Sequence, residues 1–232
     1  ILTLSFPSQP NFGAITIRAT DLSTLFIEQT FNVDVIPAQQ ILFRINAGGT
    51  AVAGLNGAPN WKANEINGSY SGDGYTVTNG STYSGNLLFD NKHSSIPSYI
   101  DKATFESIFK NERHNNNASV MAYNIPISNG DYQVNLYMGN SYSGTSTAGT
   151  RVFDVKAEGS NVLTDVDLVT KFGHQKGGME KFNITVTDGV LNIEFVKKIQ
   201  NPLVNAIEII NTQTSAPLVV TSEIQNQLNK TG

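Results

Sequence analysis

Ile45-Asn46-Ala47-Gly48-Gly49 ends a run that starts at Ile41, and Val204-Asn205-Ala206-Ile207-Glu208-Ile209 closes the same module far downstream. Ile41-Leu42-Phe43-Arg44-Ile45-Asn46 reads as a strand, and the glycines behind it permit positive φ or close passage of backbone. Residues 206 to 210 supply a closing strand. Between them, strand signals fall at residues 119–125, 131–138, 151–157 and 182–186, and Val190 to Val196 alternates through Leu191, Ile193 and Phe195. Ser128-Asn129-Gly130-Asp131 and Thr187-Asp188-Gly189 carry the turn residues that separate such strands. Many short strands punctuated by turns predict an all-β, jelly-roll-like sandwich.

Two stretches depart from that pattern. Asp101-Lys102-Ala103-Thr104-Phe105-Glu106-Ser107-Ile108-Phe109-Lys110 predicts a short helical turn with Phe105 and Phe109 on one side. Residues 51 to 83 form a Gly-, Asn- and Ser-rich stretch bearing Trp61, Tyr70, Tyr75 and Tyr83. A long loop without strong periodicity is expected to be binding surface.

The composition narrows the function. Fifteen basic against nineteen acidic side chains give a net charge of -4, and only 15% of the 232 residues are charged. That excludes sequence-blind nucleic-acid binding, whose affinity comes from neutralised phosphates. There is no cysteine, so disulfides and thiolate metal sites are excluded. No apolar run approaches the roughly 20 residues that cross a bilayer, so membrane insertion is not expected. Low charge with abundant Asn, Ser and Thr suits a secreted or cell-surface protein. Ile1-Leu2-Thr3-Leu4-Ser5-Phe6 lacks the marks of a signal peptide and reads as a cut through a longer protein.

The ends read separately from the module. Residues 15–21 and 26–35 are two alternating strands on either side of a turn-like stretch, and Pro37 interrupts the chain after them. Two strands alone are marginal in water, so residues 1–36 must lean on something else. Residues 212–232, with Leu218-Val219-Val220, read as a linker or as the first strand of another domain. The module itself occupies residues 37–211.

The chain resembles the malectin family of carbohydrate-binding domains over about residues 41 to 210. The matching pieces, in order, are Arg44 to Gly49, Ile108 to His114, Gly130 to Leu136, Arg151 to Val155, Val162 to Asp167, and Asp188 to Phe195. The resemblance implies a β-sandwich of the galactose-binding-domain type whose edge loops hold a glucose-containing oligosaccharide. Carried across, the binding aromatics fall on Trp61, Tyr83 and Tyr142, with Ser143 where the animal form has a second aromatic. The family's ligand-contacting carboxylates are replaced by Asn140 and by Gln200 before Asn201-Pro202. The resemblance also sets Glu112-Arg113 near Asp154, as an ion pair. The flanks are similar to cadherin-like or immunoglobulin-like repeats of bacterial surface proteins, which would make neighbouring extracellular repeats partners of the module.

A pyranose presents an apolar C–H face and a rim of hydroxyls, which calls for a ring platform beside amides or other polar groups. Trp61, Tyr83 and Tyr142 are the expected platforms; Asn140, Gln200, Asn201 and His114 are the expected polar contacts. Asp165 and Asp167, at i and i+2, would share a strand face and offer a thin basis for structural calcium, which wants six to eight oxygens. His93, His114 and His174 are too scattered for zinc. No two carboxylates are joined by spacing for glycoside hydrolysis, and no nucleophile or phosphate motif is present. The reading is noncatalytic binding of an oligosaccharide or polysaccharide in a surface adhesin, without cofactor. The alternative is a structural spacer or protein-interaction module that has lost the sugar site.

Overall fold

The computed structural model describes residues 12–20, 26–34, 40–55, 58–85, 91–212 and 225–229. They fall in two compact units, Ile41–Gln213 and a smaller one made from Ile1–Gln40 and Thr214–Gly232. In the smaller unit, β1 (Phe12–Thr20) pairs antiparallel with β2 (Phe26–Asp34). A strand near the C-terminus, Gln225–Asn229, pairs antiparallel with the other edge of β2. The segments expected as parts of two neighbouring repeats thus share one three-stranded sheet. Ile1 to Phe6, the break at Pro37 and Leu218-Val219-Val220 lie outside the described residues.

The larger unit opens with β3 (Gln40–Ala47), β4 (Lys62–Asn64), β5 (Tyr70–Gly72), β6 (Tyr75–Thr78) and β7 (Ser81–Ser84). Helix α1 (Lys102–Phe109) leads into β8 (Asn111–His114), β9 (Val120–Pro126) and β10 (Gly130–Gly139). Then come β11 (Val152–Ala157), β12 (Ser160–Val166) and the short α2 (Leu168–Phe172). The unit ends with β13 (Gly177–Val186), β14 (Val190–Ile199), β15 (Leu203–Val204) and β16 (Ala206–Asn211).

These strands form a five-stranded sheet, β13-β10-β16-β3-β4, and a six-stranded sheet, β12-β11-β14-β9-β6-β5. Side chains alternate between strand faces, so the apolar residues of each sheet collect on one side. Leu191, Ile193 and Phe195 of β14, Met121, Tyr123 and Ile125 of β9, and Val134, Leu136 and Met138 of β10 are all buried in one core cluster. This is the expected all-β jelly-roll-like sandwich.

Strand β10 is buried on both faces, because α1 covers its outer side. Tyr137 joins Phe105, Ile108 and Phe109 of α1 in a second cluster with Trp61, Ile96, Ile100 and Ala206. The helix starts where Asp101 Oδ1 accepts the Thr104 amide at 2.8 Å, satisfying one of the free donors of the first turn. Beside this cluster Glu208 is fully buried and fully engaged. Its Oε1 accepts Arg44 Nε at 2.8 Å, while Oε2 accepts from Tyr99 at 2.6 Å, Asn135 at 2.8 Å and Tyr137 at 3.0 Å.

The described residues of the stretch 51–83 hold more regular structure than their composition suggests. They contain β4 to β7, and β5 and β6 form a hairpin whose Tyr75 and Val77 enter the core. The short period-two signal at these two residues is masked by the glycines, asparagines and serines around it. Arg113 organises the same region from below. Its buried guanidinium donates to the carbonyls of Ile66 at 2.8 Å and Asn79 at 3.1 Å, and also to that of Gly68.

Candidate functional site

The site is built around β8, where alternation sends neighbouring side chains to opposite faces. Arg113 points inward, whereas Glu112 and His114 both line a cleft of about 640 Å³. Strand β7 pairs with β8 so that Tyr83 lies opposite Glu112, which brings the tyrosine to the same cleft. Behind this edge Gly48 approaches so closely, at φ +81°, that a Cβ there would sit 2.2 Å from the Glu112 carbonyl oxygen. The opening motif therefore sets the height of the strand that carries the cleft floor.

The opposite wall comes from the turn after β10. Tyr142 stands 57% exposed there, matching Tyr83 at 51%. Asn140 holds the turn: its Nδ2 donates to Thr145 O at 2.8 Å, its Oδ1 accepts Thr145 Oγ1 at 2.8 Å, and the Thr145 amide returns to Tyr142 O at 3.1 Å. Gly144 leaves room for the Tyr142 ring, which lies 2.5 Å from where a Cβ would stand. Arg151, just before β11, and Gln200 and Asn201, between β14 and β15, complete the lining with Ser141, Ser143, Gly85 and Gln175.

Five of the expected contacts, Tyr83, His114, Tyr142, Gln200 and Asn201, meet in this cleft. Two do not. Trp61 is fully buried, edge-on to Tyr137 at 5.6 Å, with the Arg44 guanidinium 4.8 Å from its ring centroid. Its packing in one cluster with Phe105, Ile108 and Phe109 of α1 makes it core rather than platform. Asn140 is also fully buried and acts on the site through the Tyr142 turn.

Other expected contacts are corrected too. Arg113 binds backbone carbonyls rather than Asp154, and Asp154 pairs instead with Lys198 at 2.8 Å. Asp165 and Asp167 do not share a strand face, because Asp165 turns to φ +50°. Asp165 joins Lys198 at 2.7 Å, and Asp167 caps α2 while its Oδ2 accepts the Gly149 amide at 2.7 Å. Burial would raise the Asp167 pKa, but hydrogen bonds from Thr170, Gly149 and Val169 outweigh it and hold the carboxyl below its ordinary value. No group of three or more His, Cys, Asp or Glu side chains that could hold a metal ion occurs among the described residues.

Glu112 and Arg151 enter the site without having been singled out as ligand contacts from sequence. Both are only 6% exposed. Burial lowers the Arg151 pKa, and Glu112 opposes that shift; an arginine remains charged regardless. His114 Nδ1 stands 4.0 Å from Glu112 Oε1. Burial first, then Arg151 and Arg113, push the His114 pKa below its ordinary value, so at neutral pH this contact is not an ion pair. Among the described residues nine buried side-chain nitrogen and oxygen atoms lack a hydrogen-bond partner, and four belong to cleft residues: His114 Nδ1, Arg151 Nε and Nη1, and Asn201 Oδ1. Such atoms are costly to leave unmatched, and since all four are closed to solvent a ligand matches them only where the lining shifts to admit it.

The comparisons agree with this architecture. The malectin domain model matches residues 41–219. No curated protein matches significantly. Among solved structures, a Bacteroides uniformis β-glucuronidase is similar over 91% of this chain and 24% of its own, with TM-score 0.55 and 12% identity. The ANX2 ectodomain from Arabidopsis thaliana is similar over 84% of this chain and 52% of its own, with TM-score 0.59 and 15% identity. A plant complex of FER with the peptide RALF23 and LLG2 is similar over 83% of this chain and 51% of the matched one, with TM-score 0.59 and 14% identity. The chain thus spans about a quarter of the glucuronidase and about half of the plant chains, and at these identities the likeness shows the fold. With a family model covering most of its length and a sandwich to match, the chain belongs to the malectin domain family, as a noncatalytic β-sandwich module.

Proposed function

We propose that the module binds a saccharide in the cleft between Tyr83 and Tyr142. The observation that carries this reading is the joint placement of two half-exposed rings in a cleft lined by polar side chains. The rings suit the apolar face of a sugar, while His114, Arg151, Gln200 and Asn201 supply donors and acceptors for its hydroxyls. Nothing in the ligand is cleaved. Single sites of this kind are weak, and retention comes from several copies or neighbouring repeats acting together. The flanking strands fit a module carried among extracellular repeats at a cell surface, with adhesion to polysaccharide as the role.

A second reading is a spacer or protein-interaction module. The plant FER chain, which shares the fold, is seen in complex with a peptide and a second protein. Glycan-array screening followed by calorimetry separates the two. The saccharide reading predicts binding that is lost in Tyr83→Ala and Tyr142→Ala and kept in a surface variant such as Lys102→Ala. Absence of binding to every glycan, with the protein shown to be folded, rejects it in favour of the second reading.

A further inference from the structure

We propose that the saccharide held in this cleft is acidic, with a carboxylate received by Arg151. The inference rests on the saccharide reading and names the class of sugar. Arg151 is more than nine-tenths buried, lines the cleft, and leaves Nε and Nη1 without acceptors. A guanidinium is a planar set of donors whose geometry matches a carboxylate, and hydrogen bonds between charged partners are roughly twice as strong as neutral ones.

The charge surrounding the cleft points the same way. Arg113 stands directly behind the floor, and among the described residues it donates to backbone carbonyls and Asn64 Oδ1, which carry no formal charge. Among the described lining residues Glu112 is the one carboxylate and Arg151 the one guanidinium, with Arg113 adding a second positive charge from the opposite face of β8. Burial is the main cause of the lowered His114 pKa, and Arg151 and then Arg113 lower it further, as a locally positive field does. Such a field stands out in a chain whose net charge is -4. Glu112 then faces the hydroxyls of the same sugar, where a carboxylate accepts hydrogen bonds.

The test titrates the unmodified chain, by calorimetry and by NMR shift mapping, with oligosaccharides of glucuronic, galacturonic and mannuronic acid, each beside its carboxyl methyl ester. Sulfated galactan fragments form a further arm. The expected result is that at least one acid form binds about tenfold or more tighter than its ester, and that the preference weakens with added salt. Arg151→Gln should bring acid and ester to equal affinity, and Arg151→Lys should restore part of the difference. Equal binding of acid and ester by the unmodified chain overturns the inference and leaves the saccharide reading standing. A preference that survives Arg151→Gln overturns the role given to Arg151, and stronger binding of the sulfated fragments overturns the choice of a carboxylate. Failure of every acidic and neutral sugar to bind overturns both this inference and the reading beneath it.

Discussion

Replacing Gly48 by alanine tests how the opening motif supports the cleft, and Gly68 provides an internal control. Both glycines lie at φ +81°, but a Cβ at position 48 would meet Glu112 O at 2.2 Å and Glu112 C at 2.6 Å, whereas one at position 68 meets nothing within 4 Å. The left-handed backbone alone costs an alanine about 1–2 kcal/mol, and that cost is common to both variants. The contact at position 48 is with backbone of β8, which is paired on both edges by β7 and β15, so no side chain can rotate away. Overpacking of this kind adds about 1–3 kcal/mol. Gly68→Ala should therefore lose about 1–2 kcal/mol and Gly48→Ala about 2–5 kcal/mol in urea unfolding, with unchanged m-values. Amide shifts of Glu112 and His114 should move only in Gly48→Ala. Equal losses in the two variants, with β8 undisturbed, would refute the claim that Gly48 seats the cleft floor.

Three further outcomes follow from the same geometry. With about 200 Å² for a tyrosine, 57% exposure leaves about 110 Å² of Tyr142 open, and covering half of it is worth about 1.4 kcal/mol. Tyr142→Ala should thus weaken saccharide binding about tenfold by calorimetry while leaving the unfolding midpoint nearly unchanged. His114 has its pKa lowered by folding, so below the ordinary value of 6.5 the unfolded chain binds more protons and stability falls as pH falls. Urea titrations between about pH 7 and pH 5 should show this slope, reduced in His114→Gln. Glu208→Ala strips the partner from buried Arg44 and three further donors, and should cost about 3–5 kcal/mol; a loss under 1 kcal/mol would show that the network relaxes freely.

The sandwich was legible in sequence where one sheet face is buried and the other exposed. Leu191, Ile193 and Phe195 alternate plainly because their neighbours face solvent or the strand edge. Tyr75 and Val77 obey the same rule over only four residues, too few to stand out of a polar stretch. Five residues that line the cleft were legible in sequence, Tyr83, Tyr142, Gln200 and Asn201 through the family's motif positions and His114 as their neighbour. Trp61 misled because ring chemistry alone does not tell a platform from a core residue; its fate depends on α1 and Tyr137, which are remote in sequence. Arg151 and Glu112 carried no local mark as ligand contacts. Their meeting depends on the start of β11 reaching the face of β8 that alternation leaves to Glu112, a relation visible only once the chain is folded.

The most direct test is a two-dimensional NMR titration with the oligosaccharides retained on the array, followed at backbone amides and at the indole of the chain's single tryptophan. The account predicts saturable shifts at Tyr83, His114, Tyr142, Arg151, Gln200 and Asn201, with the Trp61 indole unmoved in its buried cluster. Shifts centred on Trp61 and its neighbours, or none in the cleft at saturating ligand, would contradict it.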